Sequence, residues 1–317
     1  EIKNIYQESQ ITVLTYEASG HSLEKQLIGQ GIRRAVFSLP KIRRVFKECD
    51  IIHALDGWPY GFVAALAALG LKKKIIITAI GSGAVAPLHS VWRRPLVRWA
   101  YRRAGQLTAI SHNTKKEILK IVPDLKITII NHGVDYKKFQ ITNPKLQTNP
   151  KIQKLKPYIL SVGTLKKRKG YKYSIAAFAR VVQSFTGLKY VVVGRGPEKE
   201  NLKSQISNLK LENGVIFLDN FSEEELIELY HNAELFILLP QDINKDIEGF
   251  GLVFLEAAAC GLPVVSAKET SAKDAVLDGQ NGILVPAQDT TAAAEAVIKI
   301  LSDAGLKKSF TRESLTF

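Results

Sequence analysis

The sequence predicts an α/β protein built from two doubly wound domains. The chain has 317 residues, and at roughly 150 residues per domain this length suggests two domains. Apolar runs rich in Ile and Val alternate with longer segments of helical period, which is the pattern of repeated β-α units on a parallel sheet. A polar stretch containing three prolines at residues 140–157 separates the two halves. We therefore place one domain at residues 1–142, a linker at 143–156 and a second domain at 157–317.

Each domain is expected to contribute its own set of strands. The first set comprises residues 11–16, 50–55, 74–78, 106–110 and 126–130, and the second comprises residues 158–162, 189–193, 215–218, 235–239, 263–266 and 282–285. Domains of this class usually open with a strand and a Gly-rich turn, whereas residues 1–8 look helical and lead straight into the strand at 11–16. The chain also has no methionine. We therefore expect a trimmed start that lacks the first β-α unit.

The composition is that of a soluble globular protein with an uneven charge. Apolar residues make up 46% of the chain, and no apolar stretch reaches the roughly 18 residues that a bilayer span needs. Two cysteines cannot form a disulfide framework, so we expect a cytoplasmic protein. The net charge is +14, and residues 1–150 carry 23 Lys and Arg against 10 Asp and Glu. The first half is therefore strongly basic, and the second half is nearly neutral.

The strongest motif is the segment 248–263, which reads EGFGLVFLEAAACGLP. Gly261 and Pro263 indicate the end of a helix that begins near Gly251. The free N–H groups at such a helix entry suit an anionic phosphate, and glycines let it approach closely. Glu248 before the helix and Glu256 in its second turn can accept hydrogen bonds from sugar hydroxyls. The alternative is that the glycines only turn the chain and that Glu256 is solvated.

A second motif is the basic segment 162–170, which reads VGTLKKRKG and follows the predicted strand 158–162. Cations at the end of a strand can clamp a diphosphate, because Arg offers a forked contact and Lys a point charge. A solvated basic loop is the alternative.

A third segment, residues 88–103, reads LHSVWRRPLVRWAYRR and combines apolar and basic residues. In a continuous helix, one face would hold Leu88, Trp92, Leu96 and Trp99, and the opposite face Arg94, Arg98 and Arg102. Trp together with Arg suits the interface of an anionic membrane. The alternative is that the tryptophans belong to the core and the arginines are solvated. Nucleic acid would also explain the charge, but no recognisable nucleic-acid motif accompanies it, so we expect no nucleic-acid partner.

Two cofactor classes find little support in the sequence. Gly81, Gly83 and Ala86 fit the loose dinucleotide pattern G-x-G-x-x-A, but no Asp or Glu lies between Asp56 and Glu117 to bind a ribose. The six histidines show no paired spacing, and the chain contains no D-x-D motif. We expect neither a nicotinamide cofactor nor a metal ion.

These motifs together resemble family 4 of the retaining glycosyltransferases. The resemblance rests on the Glu-x7-Glu spacing of residues 248–256, on Gly163, on the run 168–170, on Gly194 to Pro197, and on residues 131–135 with Phe139. It implies the GT-B fold, in which two Rossmann-like domains face a central cleft.

The resemblance also implies roles for individual residues. Lys169 would bind the donor diphosphate with help from Arg168, Glu248 would contact the donor sugar, and Glu256 would hold the nucleotide ribose. The rest of the donor site would comprise Gly163, Thr164, Gly249, Phe250, Gly251 and Leu252. Thr164 stands where the family often has Arg, which puts more weight on Lys169 and Arg168.

The function these expectations favour is retaining transfer of a hexose-type sugar to an acceptor hydroxyl. The donor would be a nucleoside diphosphate sugar, with a UDP-sugar favoured over GDP-mannose. The acceptor would be a lipid-linked or cell-envelope glycan at the inner face of the membrane, next to Trp92, Arg94, Arg98, Trp99 and Arg102. Two alternatives stay open: a GT-B epimerase or phosphorylase, and a non-catalytic membrane-binding scaffold.

Overall fold

The computed structural model describes residues 10–15, 23–26, 31–140 and 150–316. The chain divides into two compact units. The first comprises Glu1–Ala109 and Lys115–Ile129, and the second comprises Ile110–Thr114 and Ile130–Phe317. The helical-looking opening at residues 1–8 and the first half of the predicted linker, residues 143–149, lie outside the described residues.

The first unit is an α/β layer around a parallel sheet. Among the described residues its main sheet has four strands in the order β3-β4-β5-β6, and a separate parallel pair joins β1 to β2. The strands are β1 (Val13–Thr15), β2 (Glu24–Gln26), β3 (Ile51–Leu55), β4 (Lys74–Ala79), β5 (Gln106–Ala109) and β6 (Thr128–Ile129). The helices are α1 (Ile32–Phe37), α2 (Leu39–Glu48), α3 (Phe62–Ala67), α4 (Ser82–Val85) and α5 (Arg94–Arg103), and α6 (His112–Leu119) is shared between the two units.

Alternation along the strands explains how the first sheet packs. In β3, Ile52 and Ala54 are buried, whereas Ile51 and Leu55 are 54% and 56% exposed. Successive side chains of a strand point to opposite faces. One face of this strand therefore lies in the core, which α3 and α5 help to form by packing against each other.

The second unit is a doubly wound domain with a larger sheet. Its described residues form six parallel strands in the order β12-β11-β10-β7-β8-β9. The strands are β7 (Tyr158–Val162), β8 (Lys189–Val193), β9 (Val215–Leu218), β10 (Phe236–Leu238), β11 (Val264–Ala267) and β12 (Gly282–Val285). The helices are α7 (Tyr136–Phe139), α8 (Pro150–Gln153), α9 (Tyr171–Ser184), α10 (Lys199–Asn208), α11 (Glu223–Asn232), α12 (Leu252–Ala259), α13 (Thr290–Ser302) and α14 (Ala304–Thr316).

The central strands of this sheet are buried along their whole length. Every residue of β7 and β10 is buried, as expected for parallel strands covered on both faces. A strand order that runs outward from β7 in both directions places the topological switch point beside this strand. Ligands of open α/β sheets bind at the carboxyl ends of strands at such a point. The loops after β7 and β10 therefore mark the candidate site.

The structure confirms two Rossmann-like α/β units and corrects one local expectation. Residues 88–103 are not one helix: Ala86–His89 form a 3₁₀ turn, and α5 begins only at Arg94. Pro95 explains the break, because proline fits the first turn of a helix but not its interior. Leu88 is fully buried, so it does not share a face with the exposed Trp92. Within the described residues, no helix is both long and apolar enough to span a membrane.

Candidate functional site

The loop after β7 comes close to the end of β10 because its last residue is a glycine. Gly170 adopts a left-handed conformation with φ 72° and precedes α9. A Cβ placed on Gly170 would lie 1.6 Å from the carbonyl oxygen of Leu239. Only a residue without a side chain permits this approach. The approach also brings the Gln241 N–H to the carbonyl of Arg168, at 2.8 Å.

Three charged side chains meet between these two loops. The Glu248 carboxylate is 5% exposed, and its Oε2 lies 2.9 Å from the Lys169 ammonium. The Arg168 guanidinium donates a hydrogen bond to the same oxygen, and its Nε lies 3.3 Å from Asp246 Oδ1. Lys169 is itself 8% exposed. Two cations therefore lie beside one buried carboxylate, and their opposite charges offset part of the cost of burying it.

The backbone around Glu248 leads into a helix entry as the sequence predicts. The Glu248 N–H donates to Asp242 Oδ1 at 3.2 Å, and α12 begins at Leu252 with Gly251 as its N-cap. Gly251 has φ 85°, and a Cβ there would lie 2.7 Å from the Phe254 ring. The first N–H groups of a helix have no partner within it. Glu248 therefore immediately precedes a segment whose backbone can receive an anion.

Glycines also keep the ends of β7 and β8 close together. A Cβ on Gly194 would lie 2.0 Å from the Gly163 carbonyl oxygen, and one on Gly196 would lie 2.5 Å from the Leu165 carbonyl oxygen. A Cβ on Gly163 would lie 3.9 Å from the Lys169 ammonium. The Tyr171 hydroxyl is nearer, at 3.3 Å, so the backbone of Gly163 lies beside a hydroxyl and a cation. Thr164, the next residue, is exposed.

Glu256 has a different environment from Glu248. It lies in the second turn of α12, and the Tyr230 hydroxyl donates to its Oε2 at 2.7 Å. Burial raises the pKa of the Glu256 carboxyl above its usual range. The Tyr230 hydroxyl thus fixes the Glu256 side chain, while the second oxygen of the Glu256 carboxyl group can still accept a hydrogen bond from a ligand hydroxyl.

The basic run 166–169 divides into two pairs. Arg168 and Lys169 join Glu248, whereas Lys166 and Lys167 are exposed and line a surface pocket of about 250 Å³ with Tyr171 and Gln241. The four cations therefore do not form one clamp. The pair that the resemblance singles out is the buried one.

The segment before the predicted linker forms part of the second unit. Asp135 caps α7 by accepting from the Lys138 N–H at 3.3 Å, and the buried Phe139 packs edge-on against Tyr230 at a ring distance of 6.2 Å. Tyr230 therefore contacts both this segment, through its ring, and Glu256, through its hydroxyl.

The basic segment of the first unit presents aromatic side chains rather than burying them. Trp92 is 86% exposed and Trp99 36% exposed, so the alternative that places both tryptophans in the core is wrong. Trp58 stacks on Phe62 at 5.5 Å, and Phe62 packs edge-on against Trp99 at 6.0 Å. Arg93 lies over the Trp58 ring. We call Trp58, Phe62 and Trp99 the aromatic row.

The arginines of α5 do not form one free face. Arg102 makes a bidentate ion pair with Asp124, with its shortest distance 2.8 Å. Arg94 is exposed, and Arg98 is partly buried with an Nε that finds no hydrogen-bond partner in the described residues. Arg103 lies over the Trp99 ring at 5.9 Å. Arg93 and Arg103 therefore lie over tryptophan rings, and Arg94 is exposed two residues after Trp92.

Sequence reasoning missed several residues of this site. Tyr230 and Asp246 were not singled out, because nothing in a single sequence shows that they reach Glu256 and Arg168. Among the described residues, no group of three or more His, Cys, Asp and Glu side chains is arranged to hold a metal ion.

Two family models match the chain. The model described as "Glycosyl transferases group 1" matches residues 143–315, and the model described as "Glycosyltransferase Family 4" matches residues 8–138.

Curated relatives and solved structures are similar over most of the chain. The N-acetyl-alpha-D-glucosaminyl L-malate synthase of Bacillus anthracis is 28% identical over 85% of this chain and 70% of its own length. The GDP-mannose-dependent alpha-(1-6)-phosphatidylinositol monomannoside mannosyltransferase of Mycolicibacterium smegmatis is 29% identical over 83% of this chain and 70% of its own. The crystal structure of Anabaena HepE in complex with UDP superposes with a TM-score of 0.78 at 22% identity, covering 91% of this chain and 79% of that one.

Proposed function

This chain belongs to the group 1 glycosyl transferases with a GT-B-type fold, and from that membership we propose that it transfers a hexose-type sugar from a nucleoside diphosphate sugar to an acceptor hydroxyl with retention at the anomeric carbon. The observation that carries the proposal is the cluster of Lys169, Arg168 and Glu248, in which Lys169 lies beside the backbone of Gly163. The loop after β7 offers cations for a diphosphate, and the neighbouring loop after β10 offers a carboxylate for a sugar hydroxyl.

The proposed roles follow from the charges and the contacts. Lys169 and Arg168 stabilise the diphosphate as it leaves, and the N–H groups of Phe250 to Leu252 assist at the helix entry. Gly163, Thr164 and Gly249 line the path of the donor. Glu248 accepts hydrogen bonds from the donor sugar. Glu256, fixed by Tyr230, accepts from the ribose.

The proposed reaction needs no protein nucleophile and no metal ion. The acceptor oxygen bonds to the anomeric carbon on the face from which the diphosphate leaves, and the departing phosphate oxygen takes the acceptor proton. Positioning and charge stabilisation then supply most of the catalysis. The absence of a D-x-D motif from the sequence favours stabilisation by side-chain cations.

A UDP-sugar is the donor that we favour. Support comes from the HepE structures, which contain UDP or UDP-glucose. The mycobacterial relative is named for GDP-mannose, so GDP-mannose is the competing donor.

We further propose that the acceptor is a lipid-linked or envelope glycan and that the first unit contacts an anionic membrane surface. The support is the exposed Trp92 and the exposed Arg94, together with the aromatic row, over whose rings Arg93 and Arg103 lie. Aromatic rings with arginine suit the headgroup region. Each such arginine contributes about 1 kcal/mol near an anionic surface, so three give reversible attachment that weakens with salt. Arg98 and Arg102 contribute less to membrane attachment, since Arg98 is partly buried and Arg102 is paired with Asp124.

The donor-site proposal is tested by substituting Lys169. Loss of one charge-stabilising contact to the leaving group typically costs about 100- to 1,000-fold in turnover, so we expect this loss for Lys169→Ala with UDP-glucose while circular dichroism stays native. Lys166→Ala, an exposed cation of the same run, is the control and should stay within about threefold of the native rate. Near-native turnover in Lys169→Ala would contradict the assignment.

The membrane proposal is tested by sedimentation with vesicles of phosphatidylcholine and phosphatidylglycerol at low and high salt. We expect binding at low salt that falls with salt and with the double substitution Trp92→Ser and Arg94→Ser. Phe37→Ser is the matched control, because Phe37 is 85% exposed and lies outside the aromatic row. Equal loss in the control, or no binding at any salt concentration, would reject this surface.

A further inference from the structure

Gln241 is a buried polar residue in the loop after β10. It is 5% exposed, and burying an amide costs free energy unless its polar atoms form hydrogen bonds. The nitrogen Nε2 donates to the Lys167 carbonyl at 3.3 Å. The oxygen Oε1 accepts from Gln288 Nε2 at 2.9 Å and from the Tyr173 hydroxyl at 3.4 Å. The side chain of Gln241 therefore joins the loops that follow β7, β10 and β12.

Gln241 holds the carbonyl groups of two consecutive residues. Its backbone N–H donates to the Arg168 carbonyl at 2.8 Å, while its side chain donates to the Lys167 carbonyl. A carbonyl group can only accept a hydrogen bond, so the amide nitrogen of Gln241 is the atom that must face Lys167. One residue outside the basic run thus anchors two successive peptide groups within it.

The anchored segment is a single 3₁₀ turn, Lys167–Lys169. The Lys169 N–H donates to the Lys166 carbonyl at 3.0 Å. The Gly170 N–H donates to the Lys167 carbonyl at 3.1 Å. Turns of this kind are short and have poor hydrogen-bond geometry, and three adjacent cations repel one another. Hydrogen bonds from a neighbouring loop therefore stabilise one orientation of this turn.

The orientation of the turn determines which cations reach the buried carboxylate. With three residues per turn, successive side chains point in directions about 120° apart. In the structure Lys167 is exposed, whereas Lys169 is 8% exposed and contacts Glu248. A rotation of the turn would move the Lys169 ammonium away from Glu248. Holding two carbonyl groups of the turn limits this rotation.

Glu248 cannot act as the anchor throughout the proposed reaction. Its carboxylate contacts the side chains of Arg168 and Lys169, and a diphosphate would compete for the same two groups. Gln241 contacts the backbone of the turn instead. Its hydrogen bonds therefore leave both positive charges available to a ligand.

We propose that Gln241 is a positioning residue that holds Arg168 and Lys169 in the orientation that the donor diphosphate requires. The inference rests on the proposed function, and Gln241 acts through the two cations. Misplacing a catalytic group by about 1 Å can cost about 100-fold in rate. Because the backbone anchor remains when only the side chain is changed, we expect a smaller loss, of about 10-fold.

The test compares Gln241→Met with the native chain, because methionine is a flexible side chain that fills the space without a hydrogen-bond donor. UDP release from UDP-glucose is measured at saturating donor, and the unfolding temperature is measured by circular dichroism. We expect turnover to fall about 10-fold and the unfolding temperature to fall by no more than about 4 °C. Gln205→Met is the matched control, since Gln205 Nε2 donates to the Lys172 carbonyl at 2.8 Å, outside the turn. Its turnover should stay within about twofold of native.

A double-mutant cycle with Lys169→Ala separates positioning from a general structural role. If Gln241 acts through the cations, Gln241→Met should lower turnover less than about threefold in a chain that already carries Lys169→Ala. A further loss of about 10-fold in that chain, or native turnover in Gln241→Met alone, would overturn the inference. A native chain that releases nucleotide from neither UDP-glucose nor GDP-mannose would instead overturn the proposed function, and this inference with it.

Discussion

Neutralising Glu248 should separate nucleotide binding from sugar transfer. In the structure this carboxylate forms ion pairs with both cations of the proposed diphosphate site, Lys169 and Arg168. A diphosphate must therefore compete with Glu248 for them. Glu248→Gln keeps the shape and one acceptor oxygen but removes the charge, so the cations become more available to phosphate while the sugar loses its anionic partner.

The geometry sets the size of both effects. At 2.9 Å and an effective dielectric constant of about 20, the attraction between the Lys169 ammonium and the Glu248 carboxylate is about 6 kcal/mol before desolvation. Hydrogen bonds to charged groups retain about 1.5–3 kcal/mol of net stabilisation. In Glu248→Gln the cations no longer make this contact with a carboxylate. If a bound phosphate gains about half of the net stabilisation, UDP affinity rises about threefold to tenfold. Loss of the full contact to the sugar lowers kcat/KM for the donor about 10- to 100-fold.

The assay pairs calorimetry of UDP binding with the rate of UDP release from UDP-glucose. Asp246→Asn is the control, because its carboxylate also lies beside Arg168 but is about half exposed, and exposed ion pairs contribute at most about 1 kcal/mol. UDP affinity in the control should stay within about threefold of native. A parallel loss of UDP affinity and turnover in Glu248→Gln would refute the reasoning.

Three further predictions concern stability and the ribose contact. Gly194→Ala should destabilise the protein by about 3 kcal/mol or more in urea, since its Cβ would lie 2.0 Å from a carbonyl oxygen, whereas Gly187→Ala, with φ 86° and open space around it, should lose only about 1 kcal/mol. An equal loss of unfolding free energy in both variants would show that the close approach at Gly194 does not contribute to stability. Because the raised pKa of about 6 in Asp56 makes the folded state hold a proton more tightly than the unfolded chain, native stability should fall as pH rises from about 4 to 6. Asp56→Asn should then exceed the native chain by about 2–3 kcal/mol at pH 7.5 and match it near pH 3.5; a pH-independent difference would contradict this. Tyr230→Phe removes the hydroxyl that holds Glu256 and should weaken UDP binding about threefold to tenfold by calorimetry, and an unchanged affinity would exclude that contact from nucleotide binding.

The buried strands were predictable because their residue pattern depends on burial alone. The strands at 158–162, 189–193, 215–218 and 282–285 have the bounds that the sequence predicts. For β7 and β8 the reason is burial, because parallel strands covered on both faces read as nearly continuous apolar runs. β2 was missed because Glu24–Gln26 carries no apolar signal. The prediction of one helix over residues 88–103 was wrong. It followed the spacing of Leu and Trp, whereas the helix begins at Arg94 because Pro95 fits only its first turn.

The candidate site was predictable where a short motif carries the geometry. Gly251 as the N-cap of α12 and Glu256 in its second turn follow from the spacing of the segment itself. The pairing of Glu248 with Arg168 and Lys169 joins residues about 80 positions apart, and only the close approach of two loops at Gly170 produces it. Asp56, which directly follows β3, has φ 78° and ψ 157°, and a single sequence does not reveal such a conformation.

The most direct test of the proposed transfer is NMR of the native chain incubated with UDP-glucose alone and, separately, with GDP-mannose alone. We predict slow release of UDP from UDP-glucose, with the sugar appearing first as the α-anomer, and slower or no reaction of GDP-mannose. An epimerised sugar still attached to its nucleotide, a β-anomer as the first product, or no binding of either donor would contradict a retaining UDP-sugar transferase.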